Sequence, residues 1–377
     1  MSSRSGIDIA SLLNPISDDA PCGRDLREGS SPTSNFQMVK LARSTARSAE
    51  RSNVYSDDGQ QAEDTRRKID ESWRKIIELA PKVLALESKD LEVACWYLEA
   101  LVRRDGITGL RDGFVLIEGL IEHYWPDLFP MPDEYGLETR VGSLKGLNGE
   151  GGSDGALLTP IRNSIITNSG QHRTFSFWEY QSAAETSRIL DDKAREKECA
   201  RKGYSLQNIE TAVRDSSSEF LTQLRDDLVE ALESFTRFND KLYQLCGASE
   251  APPSSAITNL LKDCITAITY LGGNKIAAEA PTVDDTISTA SEPGTPNTAQ
   301  DASPAPAQPK ASREQAFKQL TEIAEYFRKT EPHSPVSYML EKAVRWGNMP
   351  LHELMQELIS DETTRNRYSE LTGVKAP

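Results

Sequence analysis

Apolar residues recur along most of this chain at steps of three and four, the period of one face of an α-helix. The densest stretch is residues 88–130. There Leu91, Ala94, Leu98, Leu101 and Val102 form one stripe, and Leu110, Phe114, Ile117, Leu120, Ile121 and Tyr124 form a second. Ser88 is placed to cap the first helix, and Asp90 puts a carboxylate in its first turn. Asp105-Gly106 ends that helix, because glycine accepts the left-handed backbone of a C-terminal cap. Trp125-Pro126 stops the second. The pattern predicts a helical hairpin whose apolar faces are packing surfaces.

The same periodicity places helices on either side. Ile7, Ile9, Leu12 and Leu13 make a short amphipathic turn before a prolyl loop, and residues 35–50 can form a helix. Residues 62–80 form another, burying Ile69, Trp73, Ile76 and Ile77, with Pro81 opening a further turn over 83–86. Short helices are expected at 137–147 and 157–166, strand-like alternation at 172–177, and weak helices at 183–201 and 206–214. Phe220, Leu224, Leu228, Ala231, Phe235, Phe238, Leu242 and Leu245 then repeat with coiled-coil spacing along a helix of about seven turns. Gly247 closes it, and Pro252-Pro253-Ser254 opens a partner carrying Ile257, Leu260, Leu261, Cys264, Ile268 and Leu271. So short a connection favours an antiparallel pair, its stripe buried within the chain rather than in a dimer zipper.

Residues 275–311 turn to Ala, Pro, Ser, Thr and Asp, with too little apolar surface to offset ordering entropy, and read as a disordered linker. Beyond it lies a small helical unit, residues 312–377. Its stripes are Phe317, Leu320, Ile323, Ala324 and Phe327, then Met339, Leu340, Ala343 and Val344 ending at Trp346, then Leu351, Leu354, Met355, Leu358 and Ile359. A unit this small has a marginal core of its own, which suggests that oligomerisation supplies part of its buried surface. The predicted fold is all-α and multi-domain: an amino-terminal helical domain over 1–170, a middle helical region over 171–274, the linker over 275–311 and an oligomerisation domain over 312–377.

Composition narrows the function. The net charge of −15 argues against a general binder of nucleic acid or anionic membrane. One local exception is KLARSTARSAER at 40–51, which lacks aromatics for stacking and reads better as a solvated face. The five cysteines are widely spaced and never in C-x-x-C form, so neither a zinc cluster nor a disulfide framework is indicated. Residues 1–10 lack the apolar run of a signal peptide, and no stretch reaches the roughly 20 apolar residues that span a bilayer. A reducing, cytoplasmic setting follows as the expectation.

Catalytic patterns are missing. His352-Glu353-Leu354-Met355-Gln356 starts like a zinc-protease helix but has Gln356 where the second histidine belongs. GLNGEGGSDG at 146–155 has no G-K-[ST] ending for a phosphate loop, and His123, His172, His333 and His352 lie far apart. No enzyme, cofactor or metal is expected, and no catalytic residue is assigned.

Several ordered motifs point further. LLNPIS at 12–17 and APCGRDL at 20–26, including Pro21, Cys22, Gly23, Asp25 and Leu26, are followed by Trp73 and by Ser88-Lys89-Asp90-Leu91. Trp96-Tyr97-Leu98, Gly106-Ile107-Thr108-Gly109-Leu110 and Tyr124-Trp125-Pro126-Asp127-Leu128-Phe129-Pro130 come next. Together these resemble the ImpA amino-terminal domain of the TssA/ImpA family of the bacterial type VI secretion system. The likeness is strong over the first third and looser over 220–271. Residues 331–335, 343–347 and 349–351 resemble members with a short carboxyl domain.

The resemblance implies a non-enzymatic cytoplasmic assembly factor that could be recruited to the inner face of the envelope complex. Its partners would be baseplate, tube and sheath proteins and further copies of itself in a ring, with no nucleic acid and no membrane insertion. Candidate oligomerisation residues are Phe317, Leu320, Ile323, Phe327, Met339, Leu340, Val344, Trp346, Leu351, Leu354 and Leu358. The alternative is a monomeric or dimeric adaptor or chaperone that binds one component through its amino-terminal domain. A hydrolase built from dispersed Asp, Glu and His is the remaining class, without a motif in its favour.

Overall fold

The computed structural model describes residues 6–29, 31–53, 59–134, 136–149, 155–277 and 336–349, and between the last two also 317, 318, 320, 321, 324, 325, 328 and 329. The chain divides into two compact units, Met1–Asp284 and Asp285–Pro377. Among the described residues every regular element is a helix, and extended pairing is limited to isolated bridges.

In the first unit, α1 (Ile9–Leu13) leads to α2 (Asn35–Asn53) and α3 (Gly59–Leu86), which pack along each other. Phe36, Val39, Ala42, Ala46 and Ala49 give α2 one buried stripe, small enough at the alanines for α3 to come close. Pro81, read as the first position of a continuing turn, lies inside α3, which runs on through it to Leu86. Ile76, Leu79, Ala80, Val83 and Leu84 are buried on either side of the proline, and that packing outweighs the lost backbone bond.

The hairpin at 88–130 is α4 (Leu91–Tyr124), two helical arms joined at Gly106, whose φ of 60° and ψ of −132° interrupt the helix. Glycine adopts a positive φ without a Cβ penalty, so the bend falls there. The arms run antiparallel in close contact. A Cβ on Gly113 would stand 2.4 Å from Leu98, and one on Gly109 only 2.3 Å from the Leu101 carbonyl oxygen. The first arm is buried on nearly every side, including Val93 through Val102, as expected of a central helix. Its N-cap is Asp90, whose carboxylate accepts from the Val93 amide at 3.0 Å. Ser88, the expected cap, is instead fully buried and its hydroxyl has no hydrogen-bond partner.

Short helices α5 (Glu138–Asn148) and α6 (Leu158–Arg162) follow, the latter briefer than the 157–166 expected. The alternation at 172–177 yields one bridge, Ile165 with Ser176, before helix takes over. Ser176 and Glu179 form a reciprocal capping box that starts α7 (Phe177–Ser187). The weak helix at 183–201 is two elements, α7 and α8 (Asp192–Lys202), and a second capping box, Ser205 with Asn208, starts α9 (Leu206–Asp215).

The long helix is α10 (Ser218–Cys246), followed by α11 (Ser255–Gly272) and α12 (Asn274–Ala277). Arg225, near the start of α10, donates to the Ile276 carbonyl at 3.5 Å, as an antiparallel α10–α11 pair requires. The more extensive partner of α10, however, is α4. Phe114 lies 4.9 Å from Phe235 and 5.8 Å from Phe238 between ring centres. Beside them Thr108 donates to Asp227 at 2.8 Å, and Glu118 accepts from Ser234 at 2.6 Å and from Arg237 at 2.5 Å. Arg111, almost fully buried, binds Asp112 and reaches Glu230 at 3.2 Å. Residues on both sides of position 170 therefore share one core. Lys275 and Ile276, assigned to the linker from sequence, are helical: Ile276 is buried and Lys275 donates to the Arg214 and Ser216 carbonyls. Residues 278–311 of the expected linker lie outside the described residues.

In the second unit the described positions at 317–329 are helical, and α13 (Val336–Asn348) follows. Phe317 crosses Gly347 so closely that a Cβ there would meet its ring at 2.2 Å. Arg328 pairs with Glu341, and the Lys342 ammonium lies 4.7 Å from the Trp346 ring centre. Met339, expected to be buried, is 66% exposed beside an equally open Tyr338, and Ala343 is exposed too.

The glycine contacts set a paired test. Gly109→Ala should lower unfolding stability by about 1–3 kcal/mol through overpacking against Leu101. Gly142→Ala, in α5 with open space around its Cβ position, should raise it by about 0.5–1 kcal/mol. Urea denaturation of both variants checks the contrast.

Candidate functional site

The motif residues converge on one junction of three chain segments. The Lys89 amide donates to the Cys22 carbonyl at 2.9 Å, the Phe129 amide to the Lys89 carbonyl at 3.0 Å, and the Leu91 amide to the Phe129 carbonyl at 2.8 Å. Gly23 has a φ of 73° and passes so close to Glu87 that a Cβ would stand 2.2 Å from its carbonyl oxygen.

Inside the junction Lys89 is fully buried without a carboxylate partner. Its ammonium donates to the Leu12 carbonyl at 2.7 Å and to the Leu84 carbonyl at 2.6 Å. These are last-turn carbonyls of α1 and α3, the negative ends of two helices, where a cation is favoured. Tyr124, at the end of α4, donates to the neighbouring Leu13 carbonyl at 2.6 Å, and its ring centre is 5.8 Å from the ammonium. Burial pushes the Lys89 pKa down to about 8.

Arginines tie the rim. Arg27 binds the buried Asp90 at 2.6 Å and Glu92 at 2.6 Å, and lies 5.4 Å from the Phe36 ring centre. Burial opposes its charge, but those carboxylates hold the guanidinium above its usual pKa. Arg140 donates to the Pro130 and Trp125 carbonyls at 2.9 and 2.7 Å and lies 5.0 Å from the Trp125 ring centre.

Pro21, Cys22, Gly23, Asp25, Leu26, Ser88 through Leu91, Tyr124, Trp125 and Pro130 are thus gathered at or beside this junction. Trp73 lies elsewhere on α3, donating to Glu50 at 2.8 Å under the Arg103 guanidinium, which is 4.1 Å from its ring centre. Trp96 packs 5.8 Å from Phe36, while Gly109 and Leu110 sit inside the hairpin. Among the candidate oligomerisation residues, Phe317, Leu320, Leu340, Val344 and Trp346 are half-buried within the second unit, and Met339 is exposed. Ile323, Phe327, Leu351, Leu354 and Leu358 lie outside the described residues.

His123 contacts the Gly119 carbonyl and His172 contacts Asp215, each at 2.8 Å, while His333 and His352 lie outside the described residues. Among the described residues no three His, Cys, Asp or Glu side chains are grouped to hold a metal ion, and no helix is long and apolar enough to cross a membrane.

An open cleft of about 1030 Å³ lies at the Gly106 bend, between the end of α2, the bend itself, α6 and the first turns of α10. Arg47, Arg51, Arg103 and Arg104 line it. The sequence offered a partial signal for it, since Arg43, Arg47 and Arg51 fall four apart on α2 within the basic run at 40–51. Nothing local in the sequence shows that Arg103 and Arg104 join them.

Residues 13–149 match the family described as ImpA, N-terminal, type VI secretion system. Over 97% of its length the chain is 26% identical to the type VI secretion system component TssA1 of Pseudomonas aeruginosa, covering all of that protein. A solved amino-terminal domain of the TssA component from Burkholderia cenocepacia, which includes the conserved ImpA_N region, shares the fold with a TM-score of 0.54. That match is 24% identical and covers 75% of this chain and 99% of the solved one. Residues 13–149 are thus similar to the ImpA amino-terminal family, and the chain as a whole resembles a TssA component of the type VI secretion system.

Lys89 gives a pH test. Its folded pKa of about 8 lies below its ordinary 10.5, so between these values the unfolded chain binds more protons at this site. Its contribution therefore rises with pH across that window and is lost as pH falls through 8. Lys89→Met should lower stability at neutral pH by about 2–4 kcal/mol, because two buried carbonyls lose their donor. The gap to the parent should widen from pH 8 to pH 10 in urea denaturation.

Proposed function

We propose that this protein is a non-enzymatic assembly component of the type VI secretion system, working in the cytoplasm as a multivalent ring. In this reading the second unit builds the ring, and the first units are arms that engage baseplate, tube and sheath proteins. The observation that carries it is the likeness to TssA1 along nearly the whole chain, which extends well past the ImpA segment into the carboxyl-terminal unit.

Physical features support the reading. On α13 Tyr338 and Met339 stand 61% and 66% exposed, and a unit this small gains from burying such a pair against another copy. Joining many arms to one ring raises the effective concentration of each contact, so individually weak contacts suffice. The division of domains at 1–170, 171–274, 275–311 and 312–377 is part of this proposal as a division of labour. A second reading, an adaptor acting as monomer or dimer, is favoured by the open cleft on the first unit, which can serve a single partner.

Light scattering of the full-length protein separates the two. A mass of many protomers is expected. Tyr338→Glu with Met339→Glu should reduce that mass while the circular dichroism of the first unit's helices persists. A parent protein of one or two protomers at micromolar concentration would remove the ring reading and leave the adaptor.

A further inference from the structure

The cleft at the Gly106 bend has an unbalanced set of charges. Its walls carry four arginines and three acids, Glu50, Asp105 and Asp227, in a chain whose net charge is −15. Each acid is already engaged: Glu50 by Arg103 at 2.6 Å and by Trp73, Asp105 by Arg104 at 2.5 Å, and Asp227 by Thr108 at 2.8 Å. Arg47 is left with the weakest partner. Its nearest carboxylate is Glu99, 3.9 Å away and held more closely by Arg43 at 2.7 Å. The Glu99 oxygen facing Arg47 is buried with no hydrogen bond of its own. Arg51 is exposed and makes no ion pair among the described residues.

The floor is apolar, formed by Val102, Ile107, Phe220 and Leu224, and Ile165 stands 44% exposed at the edge. Two helical segments begin at the wall, the second arm of α4 and α10, and helix starts carry partial positive charge. Burial pushes the Arg47 guanidinium below its usual pKa, with Arg103 and Arg43 adding to that and Glu99 opposing it. An incoming carboxylate would relieve that position.

We propose that this cleft is the docking site for an extended acidic peptide segment of a partner protein, its carboxylates on Arg47, Arg51 and Arg104 and its apolar side chains on the Val102–Ile107–Leu224 floor. The arginines favour carboxylates because their planar donors match them in pairs. A nucleic acid fits less well, since no exposed aromatic ring among the lining residues offers a base a stacking surface. The proposal rests on the cleft and is independent of whether the second unit forms a ring.

The test uses full-length protein and a fluorescein-labelled peptide of about twelve residues, roughly 40 Å when extended, in which Asp and Glu alternate with Leu, Val and Ser. Its control carries Asn and Gln instead. Fluorescence anisotropy should show saturable binding of the acidic peptide, at least about tenfold weaker binding of the control, and weakening with added salt. Arg51→Gln with Arg104→Gln should lose about tenfold in affinity while its thermal unfolding stays that of the parent, and the peptide should protect amides at 102–109 from hydrogen exchange. Equal binding of both peptides, no binding, or undiminished binding by the variant overturns the proposal. So does a large gain in affinity on deleting residues 285–311. That segment contains Asp285, Glu292 and Asp301, and the gain would make this chain's own acidic segment the occupant.

Discussion

Everything in the first unit hangs on placing one ammonium group where no carboxylate answers it. Lys89 joins the last turns of α1 and α3 through their carbonyls, and the backbone on either side of it bonds to Cys22 and Phe129. Two helix ends and three loop segments are thereby fixed to one point. A salt bridge would give the same charge a partner on one segment only. Carbonyl oxygens from separate helices make the lysine a joint, and the cost of burying it is offset only when all of those segments are in place.

The hairpin of α4 meets that joint at both ends. Asp90 starts its first arm beside Lys89, and Tyr124 ends its second arm against Leu13. Between them Gly109 and Gly113 let the arms approach to a distance that any side chain would forbid. Arg111, Glu118 and Phe114 then carry the second arm onto α10. Order passes from joint to hairpin to long helix.

Much of this was legible in the sequence where the signal is local. The stripes at Leu91–Val102 and Leu110–Tyr124 and the glycine at 106 give the hairpin, because period and backbone freedom are properties of neighbours along the chain. The long stripe from Phe220 to Leu245 gives α10 in the same way. Its chief partner was not legible: proximity in sequence points to α11, whereas Phe114 and Arg111, more than a hundred positions upstream, supply the larger surface. Ser88 was misread for a related reason. It has the chemistry of a cap, but the bonds to Cys22 and Phe129 set where the helix starts, and they leave that role to Asp90. Lys89 announced itself only as part of a family motif, since nothing about a lysine in a sequence says that it will be buried. The cleft was half legible, in the spacing of Arg43, Arg47 and Arg51, and its other half depends on how α2 meets the bend.

The shared core of α4 and α10 separates two boundaries that are easily equated. The segment held in common with the ImpA family stops at residue 149, yet the face of α4 bearing Phe114 and Arg111 is closed by residues 227–238. The stretch that the ImpA family model matches is thus smaller than what folds together. Divergence in α10 is answerable to α4 position by position, and an ImpA segment moved between relatives would carry half of an interface whose other half had stayed behind.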